Sequence, residues 1–151
     1  MDEKVRQALY RQVDHEPFAR KFGLQLIALD DGYAKVKMVL TEDMTNMFGQ
    51  THGGALFALI DEAFETASNS HGTMAVALNM NISYLASPTI NSTLEAEAME
   101  VNRTNKTALY EIEVREETRL IASCQALVYR LGKPLPFLDE RLDNRSPDKL
   151  T

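Results

Sequence analysis

The chain has 151 residues, enough for one domain with a proper core and too few for two ordinary ones. Hydrophobic residues make up 44% and charged residues 25%, which is the usage of a folded globular chain rather than a disordered one. A formal net charge of −6 opposes the collection of nucleic acid or anionic membrane, and the single cysteine, Cys124, excludes an internal disulfide.

In chain order, Val5, Leu9 and Val13 follow helical spacing and Pro17 punctuates what comes after, so a short amphipathic helix is predicted over about 3–13, with Phe18 and Phe22 in a further turn or two. No signal core opens the chain, and no run approaches the roughly 20 apolar residues of a membrane span, so the expectation is a cytoplasmic protein with no membrane partner. Two strands flank Asp30-Asp31-Gly32, because Ala34, Val36, Met38 and Leu40 alternate with Lys35 and Lys37.

From Gly54 to about Ser70, Leu56, Leu59, Ile60, Ala63 and Ala67 recur at spacings of three and four. Phe57 and Phe64 add a second apolar stripe, so this helix is expected to be wrapped on most of its surface. Glu62, Glu65 and Asn69 form its polar stripe, expected to face solvent or an interface, and Gly72 supplies a stop. The period then changes to two, predicting strands over 75–84, 93–101, 107–116 and 120–130. The links between them are short and rich in turn residues, which predicts consecutive antiparallel pairing as a meander. The end of the chain loses periodicity, and a mobile tail is expected from about residue 138. The sum is an α+β domain over 1–151, an antiparallel sheet wrapped around a long central helix, with a sheet edge that calls for a second copy.

Chemistry gathers where that helix begins. Gly53 and Gly54 stand at its start, where backbone N–H groups lack internal partners and carry the positive end of the helix dipole. They can receive an oxyanion, and glycine lets a substrate approach closely; the plainer alternative is a tight turn. Asp61 lies one turn from Phe57 and one from Phe64, and an acid on an apolar stripe is either functional or paired structurally. His52 can stabilise a departing group and Asn46 can hold a water or carbonyl. His15, His52 and His71 lack metal-ligand spacing, and there is no phosphate loop or Gly-x-Ser-x-Gly elbow, so neither a metal nor a cofactor is expected. Cys124 reads as a buried strand residue.

The runs NMFGQTHGG, ALFALID and AVALNMNISYLASP resemble the hotdog-fold acyl-CoA thioesterases of the phenylacetate-degradation type, over most of residues 17–133. The resemblance implies a hotdog fold whose dimers pair into a homotetramer, with the active sites at the dimer interface. It implies that Asp61 acts as general base or nucleophile, that the Gly53 amide polarises the thioester carbonyl, and that Asn46 and His52 flank the reacting group. Gly54, Phe57 and Phe64 are then candidates for the substrate pocket. Some relatives carry Ser or Thr where this chain has Ala77, so placement of the water falls to Asn79, Asn81 or Ser83. Arg103 and Lys106, in a turn between strands, are candidates for the CoA phosphates. The expected activity is hydrolysis of an acyl-CoA to free acid and CoA. The rival from another class is a non-catalytic acyl-CoA sensor, against which stands the retention of Asp61.

Overall fold

The computed structural model describes residues 1–138. The tail expected to be mobile lies, but for its first residue, outside the described residues. Helix α1 spans Glu3–His15, two residues longer than its periodicity predicts, because Asp2 caps it at Val5 N (3.1 Å) and Pro17 forces the break just beyond. Pro17 opens α2 (Pro17–Phe22), which ends at Gly23 in the left-handed region. Strands β1 (Gln25–Asp30) and β2 (Tyr33–Val39) form the expected hairpin.

Helix α3 runs Gly53–Asn69. Asn69 Oδ1 accepts from Ala75 N at 2.9 Å while its Nδ2 donates to Glu65 O at 2.9 Å, tying the helix end to the next strand. Gly72 leaves through a positive φ of 77°, as a stop glycine should. Four strands follow: β3 (Thr73–Tyr84), β4 (Thr93–Arg103), β5 (Thr107–Glu116) and β6 (Arg119–Pro134). Leu56, Leu59, Ile60, Ala63, Phe64 and Ala67 of α3 are buried in the core, under Val36, Met38, Ala96, Ala98, Ile112 and Val114 of the sheet. Alanines at 34, 96 and 98, all fully buried, let the sheet curl close to the helix. Cys124 is buried in β6, as its sequence context implied.

The sheet order is β1-β2-β4-β5-β6-β3, antiparallel throughout. This corrects the expected meander. The strands β4, β5 and β6 do pair consecutively, but β3 pairs with β6 and forms an edge, and β4 pairs with β2. The eight-residue link 85–92 was short enough to look like a hairpin connection. Extended, eight residues reach about 26 Å, and three strand spacings need only about 14 Å, so such a link can cross the end of the sheet. Its hold is visible: Leu85 N and Ala86 N donate to Ile121 O, and Leu40 N donates to Ser92 O at 2.9 Å.

Among the described residues, no helix is long and apolar enough to cross a membrane.

Candidate active site

The loop before α3 is built by its own side chains. A bridge between Thr45 and Thr51 closes it, and the Asn46 side chain accepts from Phe48 N (2.9 Å) and Gln50 N (3.1 Å). That uses the Asn46 carbonyl to shape the loop and leaves its amide N–H groups as donors. His52 N donates to Met44 O at 2.8 Å, and the His52 ring then caps α3 by accepting Gly54 N–H at Nδ1, 2.8 Å away. An N–H can only donate, so Nδ1 carries the lone pair and Nε2 the proton. The exposed ring therefore offers an Nε2–H donor at the mouth of the loop.

The two glycines divide their work. The Gly54 amide is taken by His52, and a methyl group on Gly54 would stand 3.0 Å from that imidazole nitrogen, so this glycine makes room for the cap. The Gly53 amide donates to no acceptor among the described residues and sits at the positive end of the helix. Tyr84, at the end of β3, lies over it, its hydroxyl donating to Gly53 O at 3.3 Å. Nothing in the local sequence marks Tyr84 as part of this site; β3 runs back alongside α3 and brings it there.

Asp61 is half-buried with no hydrogen bond or ion pair among the described residues, and burial raises its carboxyl above the usual carboxylate value. The pair of phenyl rings expected to flank it is corrected. Phe64 is 1% exposed and belongs to the core, edge to face with Tyr110 at 5.6 Å between centroids. Phe57 is 39% exposed and remains available to a ligand. The expectation for Glu62 is overturned more fully, because it is 3% exposed: the α1–α2 corner at Glu16 covers it, while Glu65 on the same stripe stays exposed. Burial first, then Glu16, Glu65 and Asp61, push the Glu62 carboxyl up to about 8.

Three other groups of candidates are not drawn to this loop. Ala77 is registered opposite the buried Val128, which puts it on the inner side of the sheet, yet on the edge strand it stays exposed. A bulge at Leu78 then reverses the alternation. Asn79 and Asn81, opposite Leu127 and Gln125, turn to the outer face of the sheet, away from Asp61 of the same chain. Arg103 pairs with Glu100 at 3.1 Å, and Lys106 Nζ sits 5.9 Å above the Tyr129 ring. Because Glu100 also holds His71 at 2.7 Å, just past the end of α3, these cations lie about 25 Å of helix away from Gly53.

Gly53 and Asp61 themselves are eight residues apart on one straight helix, which separates them by about 12 Å along its axis. A carbonyl on the Gly53 amide is beyond reach of the Asp61 of its own chain.

The thioesterase superfamily model matches residues 48–123, the segment from this loop to the first third of β6. The acyl-coenzyme A thioesterase PaaI of Escherichia coli is 33% identical over 133 residues, covering 87% of this chain and 95% of its own. The solved structure of that Escherichia coli protein superposes with a TM-score of 0.83 at 32% identity, over 87% of this chain and 96% of the other. A phenylacetic acid degradation protein PaaI of Thermus thermophilus gives a TM-score of 0.75 at 39% identity, over 77% and 100%. A Streptococcus mutans protein solved with acetyl-CoA gives 0.71 at 25% identity, over 74% and 91%. The sheet wrapped around α3 is the hotdog fold of these relatives, and the chain belongs to the thioesterase superfamily as a PaaI-like thioester hydrolase.

Proposed function

We propose that this chain, as one hotdog domain, hydrolyses an acyl-CoA thioester to a free acid and coenzyme A at sites shared between two copies. The observation that carries the shared site is the separation of about 12 Å between the free Gly53 amide and Asp61. The two groups can meet on one carbonyl only when Gly53 comes from one protomer and Asp61 from another. The edge strand β3 supports such a pairing. It presents unpaired backbone along one side, and Val76, Leu78 and Tyr84 on it are 44%, 57% and 52% exposed. A dimer joined through β3, doubled into a tetramer, is the assembly proposed.

Acyl-CoA as the substrate class follows from the Escherichia coli relative, named as an acyl-coenzyme A thioesterase, and from the acetyl-CoA bound by the Streptococcus mutans protein. In the reaction proposed, the thioester carbonyl oxygen accepts the Gly53 N–H at the start of α3. Asp61 of the other copy takes a proton from water, whose oxygen forms the new C–O bond. The oxyanion collapses, the C–S bond breaks, and the leaving sulfur is protonated by Asp61 or by the Nε2–H of His52. Direct attack by the Asp61 carboxylate, giving an anhydride that water then opens, uses the same groups. Phe57 is the side chain of α3 best placed to meet the acyl group. The cytoplasm, where a lone thiol such as Cys124 stays reduced, is the compartment proposed.

The test is release of free thiol from a panel of acyl-CoA esters by the wild-type protein and by Asp61→Asn. Turnover in the variant is expected to fall about a hundredfold or more while binding persists, the scale of losing a base or nucleophile. Its melting temperature should hold or rise, since the variant removes an unpaired half-buried charge. Saturable binding without thiol release by the wild type would make the protein a sensor instead. A stable Asp61→Asn protein with normal turnover would remove Asp61 from the chemistry.

A further inference from the structure

Away from the Gly53 loop, the structure holds a cavity of about 360 Å³ between α1, the α1–α2 corner, α3 and the start of β3. Leu9, Val13, Met74, Leu135 and Phe137 form its apolar wall. Into it project Glu16 from the corner and Glu62 and Glu65 from α3, each with a carboxylate oxygen within 4.8 Å of the other two. Three acids brought this close repel one another unless a proton or a cation neutralises them. Glu62 sharpens the problem: it is 3% exposed, and no hydrogen bond or ion pair reaches its side chain among the described residues. No lysine or arginine among the described residues lines the cavity. His15, the remaining titratable group on the wall, directs Nδ1 to the Arg11 carbonyl at 2.8 Å.

We propose that Glu16, Glu62 and Glu65 form a binding site for a hard divalent cation, separate from the Gly53 loop. The geometry suits one. An ion at the centre of three oxygens spaced this way sits within about 2.8 Å of each, and small side-chain rotations reach the roughly 2.3–2.6 Å of calcium–oxygen bonds. All three donors are carboxylates, which select oxygen-seeking ions such as Ca²⁺, Mg²⁺ and Mn²⁺ over softer metals. Gln12 and Thr66 add neutral oxygens on the same wall, and the volume leaves room for water to complete the coordination. A cation there would bridge α3 to the α1–α2 corner and so clamp the N-terminal helices onto the central one. The site needs no thioester chemistry and so stands or falls apart from the hydrolase reading.

The experiment is calorimetric titration of chelator-treated full-length protein with Ca²⁺, Mg²⁺ or Mn²⁺, with melting temperature and Mn²⁺ electron paramagnetic resonance read in parallel. One ion per chain is expected, and a melting temperature that climbs with ion concentration, as for any ligand of the folded state. Glu62→Gln and Glu65→Gln keep side-chain shape and relieve the mutual repulsion, so both should fold. Each is expected to weaken binding tenfold or more, and together they should abolish it. Absence of heat and of any melting shift at millimolar ion overturns the site. So does wild-type affinity in the double variant, which would place the ion on other acids, and so does a loss of oligomer rather than of ion binding, which would show that a second copy neutralises the acids.

Discussion

His52 Nδ1 accepts the Gly54 N–H at 2.8 Å, so one imidazole both caps the central helix and points its remaining N–H into the loop where the reaction is proposed. Structural and chemical roles of this ring can be separated by substitution. His52→Ala should lose about 1 kcal/mol of stability, the scale of a lost N-cap, together with turnover. His52→Asn keeps a capping oxygen and should recover the stability without recovering the rate. Melting temperature and kcat measured on both variants check this, and full recovery of kcat in His52→Asn would leave the ring with a capping role alone.

The separation of Gly53 and Asp61 makes a prediction about mixtures. In a dimer with shared sites, His52→Ala damages the loop half of a site and Asp61→Asn damages the acid half. A mixed dimer then contains one site with both lesions and one with neither. Unfolding and refolding the two inactive variants together should restore about a quarter of wild-type activity, because half of the dimers are mixed and half of their sites are intact. Activity that stays at the level of the separate variants would return both halves of the site to one chain.

Arg103 and Lys106 lie at the far end of α3 from Gly53 of their own chain, so any contact with CoA phosphates is to a substrate held by another copy. The double variant Arg103→Ala with Lys106→Ala should raise KM for an acyl-CoA several-fold and leave KM for a short thioester without the nucleotide unchanged. Added salt should weaken acyl-CoA binding in the wild type and do so less in the variant. Equal changes for the two substrates would take these cations out of the CoA site.

The crossing 85–92 should show itself in acid. Its Thr89 N donates to Glu116 at 2.8 Å, and Glu116 also pairs with Arg119. The hydrogen bond from Arg119 foremost, with that from the Thr89 N–H of the link, holds the Glu116 carboxyl down at about 2 from an ordinary 4.5. A carboxyl depressed by folding stabilises the native state above its unfolded value, and that stabilisation disappears as pH falls through the folded value. Wild-type melting temperature should therefore drop between about pH 4.5 and pH 2, and Glu116→Gln should be less stable at pH 6 with a shallower drop. Parallel curves for the two proteins would mean that the link is held by other bonds.

The spacing of Leu56, Leu59, Ile60, Ala63 and Ala67 was enough to place α3, and alternation was enough to place β2, β4, β5 and most of β6. Those are local properties, since a helix or strand declares its buried face by its own period. The paired glycines likewise announce a helix start and its free amide, whereas the capping of Gly54 by the His52 ring is seen only in the structure. What surrounds a face is a different matter. Glu62 looked by its neighbours in sequence to face solvent or an interface, and it is buried because the α1–α2 corner, some 46 positions earlier at Glu16, folds across it. Asn79 and Asn81 could not be assigned a side from alternation, because a bulge at Leu78 reverses it and only the pairing with β6 reveals the bulge. The order of β3 was hidden for the same reason: an eight-residue link can turn back or cross over at similar cost, and the choice is made by which edge offers backbone partners and apolar cover. Period and helix start are written in the residues themselves, whereas burial, strand order and the meeting of distant acids arise from chain segments that touch only once the whole domain has closed.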